Sequence, residues 1–218
     1  MPIGIGKTTA GRAGNVPQVN ITGYTRQVQK RLFYSRREQA LILEKTVRGG
    51  FEDLEMGQVM TQVYKDGTLV RDFIVPYGAN GDVAVTASDN SANTVTVAAA
   101  DAAKFAVGDV VTVNDDETTA ENRTITGITV SGTSAVIALD ALTNTFTHAS
   151  AIVKHRQDGN YFILDQDIDT GAENKAEGAL GSVLISNAVL YKDAVIGMDN
   201  TVLTDLNGKE DGVFYIIR

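Results

Sequence analysis

Short runs of alternating apolar and polar residues recur through the middle of the chain. They are Thr94-Val95-Thr96-Val97, Val110-Val111-Thr112-Val113, Thr124-Ile125-Thr126 and Ala135-Val136-Ile137-Ala138-Leu139. A period of two sends successive side chains to opposite faces, so each run predicts a strand with one buried face. Turn-forming clusters separate them: Ser88-Asp89-Asn90-Ser91, Asn114-Asp115-Asp116-Glu117 and Ser131-Gly132-Thr133. Strands at this spacing predict a small sandwich or barrel, with one helical turn over Ala98–Phe105. Upstream, Gln58–Tyr64 and Thr68–Val75 flank Lys65-Asp66-Gly67, a hairpin signal, and Pro76 closes the second run. Downstream, Tyr161–Leu164 predicts a strand and Asp165–Gly178 a polar acidic loop. Gly181–Leu190 predicts a strand or a bent pair of strands, and Asp193–Met198 and Val213–Ile217 complete the set. Glu38–Val47 is too short an apolar run to separate helix from strand, and Gly49-Gly50 breaks the chain after it. No long amphipathic helix is evident, so the expected fold is mainly β.

Composition divides the chain further. Thr, Val and Ala supply 39 of the 75 residues from 81 to 155, a texture that neither flank shares. This predicts an inserted small β domain over 81–155, interrupting a β domain made of 49–80 plus 156–218. Residues 1–19 are rich in Gly, Thr and Pro without either periodicity, and 1–48 as a whole predicts a basic extended N-terminal arm. Charge follows the same division. Residues 1–50 carry nine basic and two acidic side chains, a net of +7, while the rest carries ten basic and 25 acidic, a net of −15. A segment so unlike the rest suits a different partner: nucleic acid, an acidic protein surface, or the protein's own acidic body. An acidic body repels a phosphate backbone, which places nucleic acid last.

The 218 residues contain no cysteine, which removes disulfides, thiolate zinc sites and thiol nucleophiles. No apolar run approaches a membrane span, and the N-terminus lacks the apolar region of a secretion signal. Gly4-Ile5-Gly6-Lys7-Thr8-Thr9 looks like the end of a phosphate-binding loop, but Met1 stands where the first glycine is required and no strand precedes it. Asp165, Asp167 and Asp169 alternate like the start of a calcium loop. Thr170 and Ala176 then occupy the positions that need Gly and Glu, so solvated acids at a strand end fit better. Asp115, Asp116 and Glu117 read as a turn. The two histidines, His148 and His155, would face opposite sides of one strand. A Ser-His-Asp triad on His155 lacks the Gly-x-Ser-x-Gly elbow. Asn20 and Asn122 head glycosylation sequons that carry no meaning without a secretory signal. No catalytic, cofactor-binding or metal-binding residues are expected, and no enzyme.

The outer segments carry a resemblance. GGFEDLEMGQVMTQVYKDGTLV (Gly49 to Val70), YFILDQDIDTG (Tyr161 to Gly171) and GSVLISNAVLYKDAVI (Gly181 to Ile196) are together similar to tailed-bacteriophage head decoration (capsid cement) proteins of the lambda type. The resemblance lies in two pieces, 49–80 and 161–196 or slightly beyond. Within the insert, FAVGDVVTVND (Phe105 to Asp115) resembles small β-domains of phage structural proteins. The resemblance implies a β-tulip or barrel-like decoration domain and a structural virion protein. Such a protein binds the outer surface of the capsid, after synthesis in the host cytoplasm, and bridges coat subunits as a homotrimer. Its partners would be the major capsid protein and itself, with no direct nucleic acid and no membrane. On that reading Arg26, Lys30, Arg31, Arg36 and Arg37, the densest basic run, are the capsid-contact candidates. The alternative is another phage virion structural protein, a tail-tube, adaptor or head-fibre component. An enzyme or small-ligand binder acting through the insert is a third class.

Overall fold

A computed structural model of the chain describes residues 41–115, 118–171, 178–186, 188–208 and 215–217. The described residues are mainly β. In chain order the strands begin with β1 (Leu41–Val47), β2 (Asp53–Leu54), β3 (Val59–Lys65), β4 (Thr68–Pro76), β5 (Val83–Ala84) and β6 (Ala87–Asp89). They continue with β7 (Thr94–Ala98), β8 (Val110–Asn114), β9 (Glu121–Ser131), β10 (Ser134–Leu139) and β11 (Ile152–His155). The last are β12 (Gln157–Leu164), β13 (Ile168–Asp169), β14 (Ala179–Ser186), β15 (Val189–Tyr191) and β16 (Tyr215–Ile217).

Five strands close a barrel in the order β1-β14-β12-β3-β4. The seam is a short parallel pairing of β1 with β4, Thr46 opposite Phe73 and Val47 opposite Ile74, and the other pairs are antiparallel. β3 and β4 meet at Asp66-Gly67. Both residues have positive φ, 48° and 75°, as the two-residue turn matched to strand twist requires. The wall of the barrel is buried on both sides. Val47, Met60, Ile74, Phe162, Leu164 and Val183, from all five strands, share one core. Val59, Tyr161, Ile163 and Leu184 face a second core. That core is covered by Leu190, Val195 and helix α1 (Asn200–Gly208), which contributes Val202 and Leu206.

The second large sheet lies wholly within 83–155, in the order β5-β11-β8-β9-β10-β7-β6. Its strands alternate as the sequence predicts, with Val95, Val97, Val111, Val113, Ile125, Ile137 and Val153 in one core. The sequence left a sandwich or a barrel open, and the answer lies in residues 83–89. Val83 and Ala84 pair with β11, and the Val85 N–H donates to the Ala151 carbonyl at 2.8 Å. One residue on, the Thr86 N–H donates to the Thr96 carbonyl at 2.8 Å, and β6 pairs with β7. A single chain segment thus changes partners midway and brings the two ends of the sheet together.

Several expectations change in the structure. Leu41–Val47, expected within the extended arm, is a barrel strand, and residues 1–40 lie outside the described residues. Gly181–Leu190 resolves into β14 and β15. Residues 193–198 hold no strand: Lys192–Ala194 form a 3-10 turn and Ile196 makes a lone bridge to Gln58. Ala194 and Val195 are both buried, and consecutive burial does not fit a strand with one wet face. The helical turn is present as a 3-10 helix over Ala99–Lys104. The acidic loop contains β13, which pairs with β2.

Candidate functional site

The chain leaves the barrel after β4 and returns just before β12, and a cluster of buried polar groups forms where the two sheets touch. Arg48, immediately after β1, donates its backbone N–H to the Ile74 carbonyl at 3.0 Å, which fixes it at the barrel seam. Its guanidinium donates to Asp109 Oδ1 at 2.9 Å, and Asp109 is completely buried. Asp109 sits in the turn before β8, where Oδ2 accepts the Ala106 N–H at 2.7 Å. The tip of the β3–β4 hairpin docks on the same turn, the Asp66 N–H donating to the Gly108 carbonyl at 2.7 Å. Gly50, at φ 88°, passes so close to the 3-10 helix that a Cβ there would lie 2.9 Å from the Ala103 carbonyl carbon. Arg156 places its guanidinium 4.5 Å from the Tyr64 ring centroid, a further cationic tie between the return crossing and the barrel.

His155 ends β11 inside this cluster and is 2% exposed. Its Nε2 lies 2.8 Å from the Lys104 carbonyl, and a carbonyl only accepts, so Nε2 carries the proton in the neutral ring. Nδ1 then has no hydrogen-bond partner and lies 4.0 Å from Asp109 Oδ2. Phe105 packs against the ring with centroids 5.0 Å apart. Burial, with Arg48 adding to it, pushes the imidazole below its ordinary range, while Asp109 and the Lys104 carbonyl oppose that shift. The ring is therefore neutral near pH 7. No serine hydroxyl bonds to it among the described residues, so the structure places His155 in a junction and assembles no triad around it.

Two other carboxylates are committed to architecture. Asp199 Oδ1 caps α1 by accepting the Val202 N–H at 2.8 Å, and Oδ2 accepts the Tyr77 hydroxyl at 2.6 Å. Burial would raise Asp199, but the hydrogen bonds from Tyr77, Val202 and Thr201 outweigh it and lower the carboxyl. Burial and the adjoining carboxylate push the Tyr77 phenol upward. Glu121 accepts the Thr143 and Asn144 N–H groups at 3.0 and 2.6 Å and pairs with Arg123. These bonds outweigh its burial and lower its carboxyl too.

The motifs of the sequence fall as follows. Asp165 is buried, whereas Asp167 and Asp169 are exposed, so the solvated-acid reading holds for two of the three. Asp167 accepts the Met56 N–H and Asp169 the Gly171 N–H, each at 2.7 Å. Register sets Asp169 opposite Asp53, and with exposed Glu52 and Glu55 the β2–β13 ribbon is an acidic ridge. No cluster of three potential metal ligands occurs among the described residues. His148 lies in an exposed turn before β11, so the two histidines do not share a strand. Asn122 Oδ1 accepts the Thr112 hydroxyl at 2.6 Å. The Gly4–Thr9 motif, Asn20 and the contact candidates Arg26, Lys30, Arg31, Arg36 and Arg37 lie outside the described residues. Sequence reasoning missed the Arg48–Asp109 pair. Sixty-one residues separate its members, and no local spacing links them.

No helix among the described residues is long and apolar enough to cross a membrane. No family model matches the chain, and neither curated proteins nor solved structures contain a match.

Proposed function

We propose that the protein is a structural component of a tailed-phage head that binds the outer capsid surface and bridges coat subunits as a trimer. What supports the reading is the place of the two segments similar to lambda-type decoration proteins. Residues 49–80 and 161–196, far apart in sequence, supply four consecutive strands of one barrel wall, β4-β3-β12-β14. The charge division supports it as well: the basic segment meets an acidic coat surface while the acidic body faces water and stays soluble. Copies held together as a trimer multiply individually weak contacts.

Co-sedimentation of the purified protein with expanded heads, at low and high salt, tests the proposal. Saturable binding at a fixed ratio to coat subunits is expected, weakening as salt rises. Reversing Arg26, Lys30, Arg31, Arg36 and Arg37 together should abolish binding at low salt. Intact heads that take up no protein would overturn the decoration reading. Ring or tube assembly by the purified protein would then favour a tail-tube or adaptor component.

A further inference from the structure

We propose that His155 is an acid switch on the Arg48–Asp109 tie between the two large sheets, which holds while the ring is neutral and is released when Nδ1 takes up a proton. The geometry sets two acceptors against each other. Nδ1 and Asp109 Oδ2 lie 4.0 Å apart on side chains 2% and 0% exposed; Nδ1 has no hydrogen-bond partner, and Oδ2 accepts the Ala106 N–H. A proton on Nδ1 would turn that contact into an ion pair, but Asp109 already holds Arg48 at 2.9 Å. Two cations would then share one carboxylate in a buried site. The excess charge lowers its energy by reaching water, which requires the junction to open.

Other charged groups around the ring do not relieve the conflict. Lys104, whose carbonyl binds Nε2, has its ammonium on Asp101 at 2.6 Å and 5.7 Å from the Phe51 ring centroid. Arg156, next in the chain, is engaged over Tyr64, and Lys65 approaches Asp109 through a backbone bridge. These three neighbours are cations, and the Asp66 carboxylate, against Gly108, is exposed; among the described residues Asp109 is the carboxylate paired with the ring, so acid adds positive charge beside Arg48.

The direction follows from linkage. An imidazole held below its ordinary value binds its proton more readily when the junction is open and hydrated. Closure is therefore fully stable above the ordinary histidine value near 6.5 and weakens as pH falls below it. With one proton involved, the opening constant rises roughly tenfold per pH unit in that window. Histidine is the only ordinary side chain that titrates between pH 5 and 7.5, and the chain has two.

Amide exchange read by mass spectrometry on the full chain, corrected for intrinsic rates, tests the switch over residues 104–110 and 150–157 from pH 7.5 to 5.5. Protection should fall about tenfold per unit in wild type below pH 6.5. It should fall equally in His148→Gln, which leaves His155 as the one histidine. His155→Gln, which keeps a donor for the Lys104 carbonyl but takes up no proton, should flatten the profile. Proton NMR of His148→Gln gives a second readout that needs no change at the site: the His155 ring should titrate below the ordinary histidine value of 6.5. A His155 ring that titrates at or above 6.5 would overturn the proposal. So would pH-independent protection in His148→Gln, or an unchanged slope in folded His155→Gln.

Discussion

In the second sheet β10 shows one face to water and one to the core, running exposed, buried, exposed, buried from Ser134 to Ile137. In the barrel, β3 is buried without a break from Val59 to Val63. A wall covered on both sides must also satisfy polar groups away from water. Gln58 shows how: Nε2 donates to the Tyr77 carbonyl at 3.1 Å and the Val59 carbonyl at 2.9 Å, and Oε1 accepts Asn80 at 2.6 Å. The second sheet draws its whole core from one stretch of 73 residues, 83–155. The barrel gathers its two cores from strands and a helix spread between residues 41 and 208. One region is an autonomous pattern, and the other depends on distant parts of the chain meeting.

Substitutions can break or sharpen that contrast. The largest expected effect is at Phe146, 1% exposed in the core of the second sheet, where Ala should cost about 3–5 kcal/mol. Every tyrosine lies outside 81–155, so tyrosine emission reports on the remainder of the chain alone. Phe146→Ala should accelerate amide exchange throughout 83–155 while leaving the tyrosine unfolding midpoint in place. A midpoint that falls equally would show the two sheets unfolding as one unit. A smaller loss, about 1 kcal/mol, is expected for Tyr77→Phe, which removes the donor to Asp199. Because Asp199 is held below its ordinary value of 3.8, its stabilising contribution exists above that pH and fades below it. The melting difference between Tyr77→Phe and wild type should therefore be largest near pH 7 and shrink toward pH 3. The smallest effect is on the outer face of β10, where Val136→Thr should stay within about 0.5 kcal/mol by denaturant titration. A large loss there would mean that this face is covered.

The same contrast explains what could be read from the residues. The strands over 94–139 were legible because water on one face forces a period of two. The hairpin at Asp66-Gly67 was legible because few residues tolerate two successive positive φ angles. Leu41–Val47 was not, since β1 has exposed residues at Leu41, Leu43 and Glu44 and a buried one only at Val47, a pattern of neither period. Its state is fixed by β14 and β4, whose residues lie far along the chain. The junction was half visible. His155 stood out by its rarity, but the meeting of Asp109 with Arg48, 61 residues away, depends on the closed barrel seam.

The segment 83–89, divided between β11 and β7, has one more consequence. An open sheet of this length would end in two full strands of unpaired backbone, each able to template another molecule. Here the two terminal strands are only two and three residues long, too short to seed a fibril. A second copy that meets this sheet edge-on therefore finds only two or three residues of edge backbone to pair with.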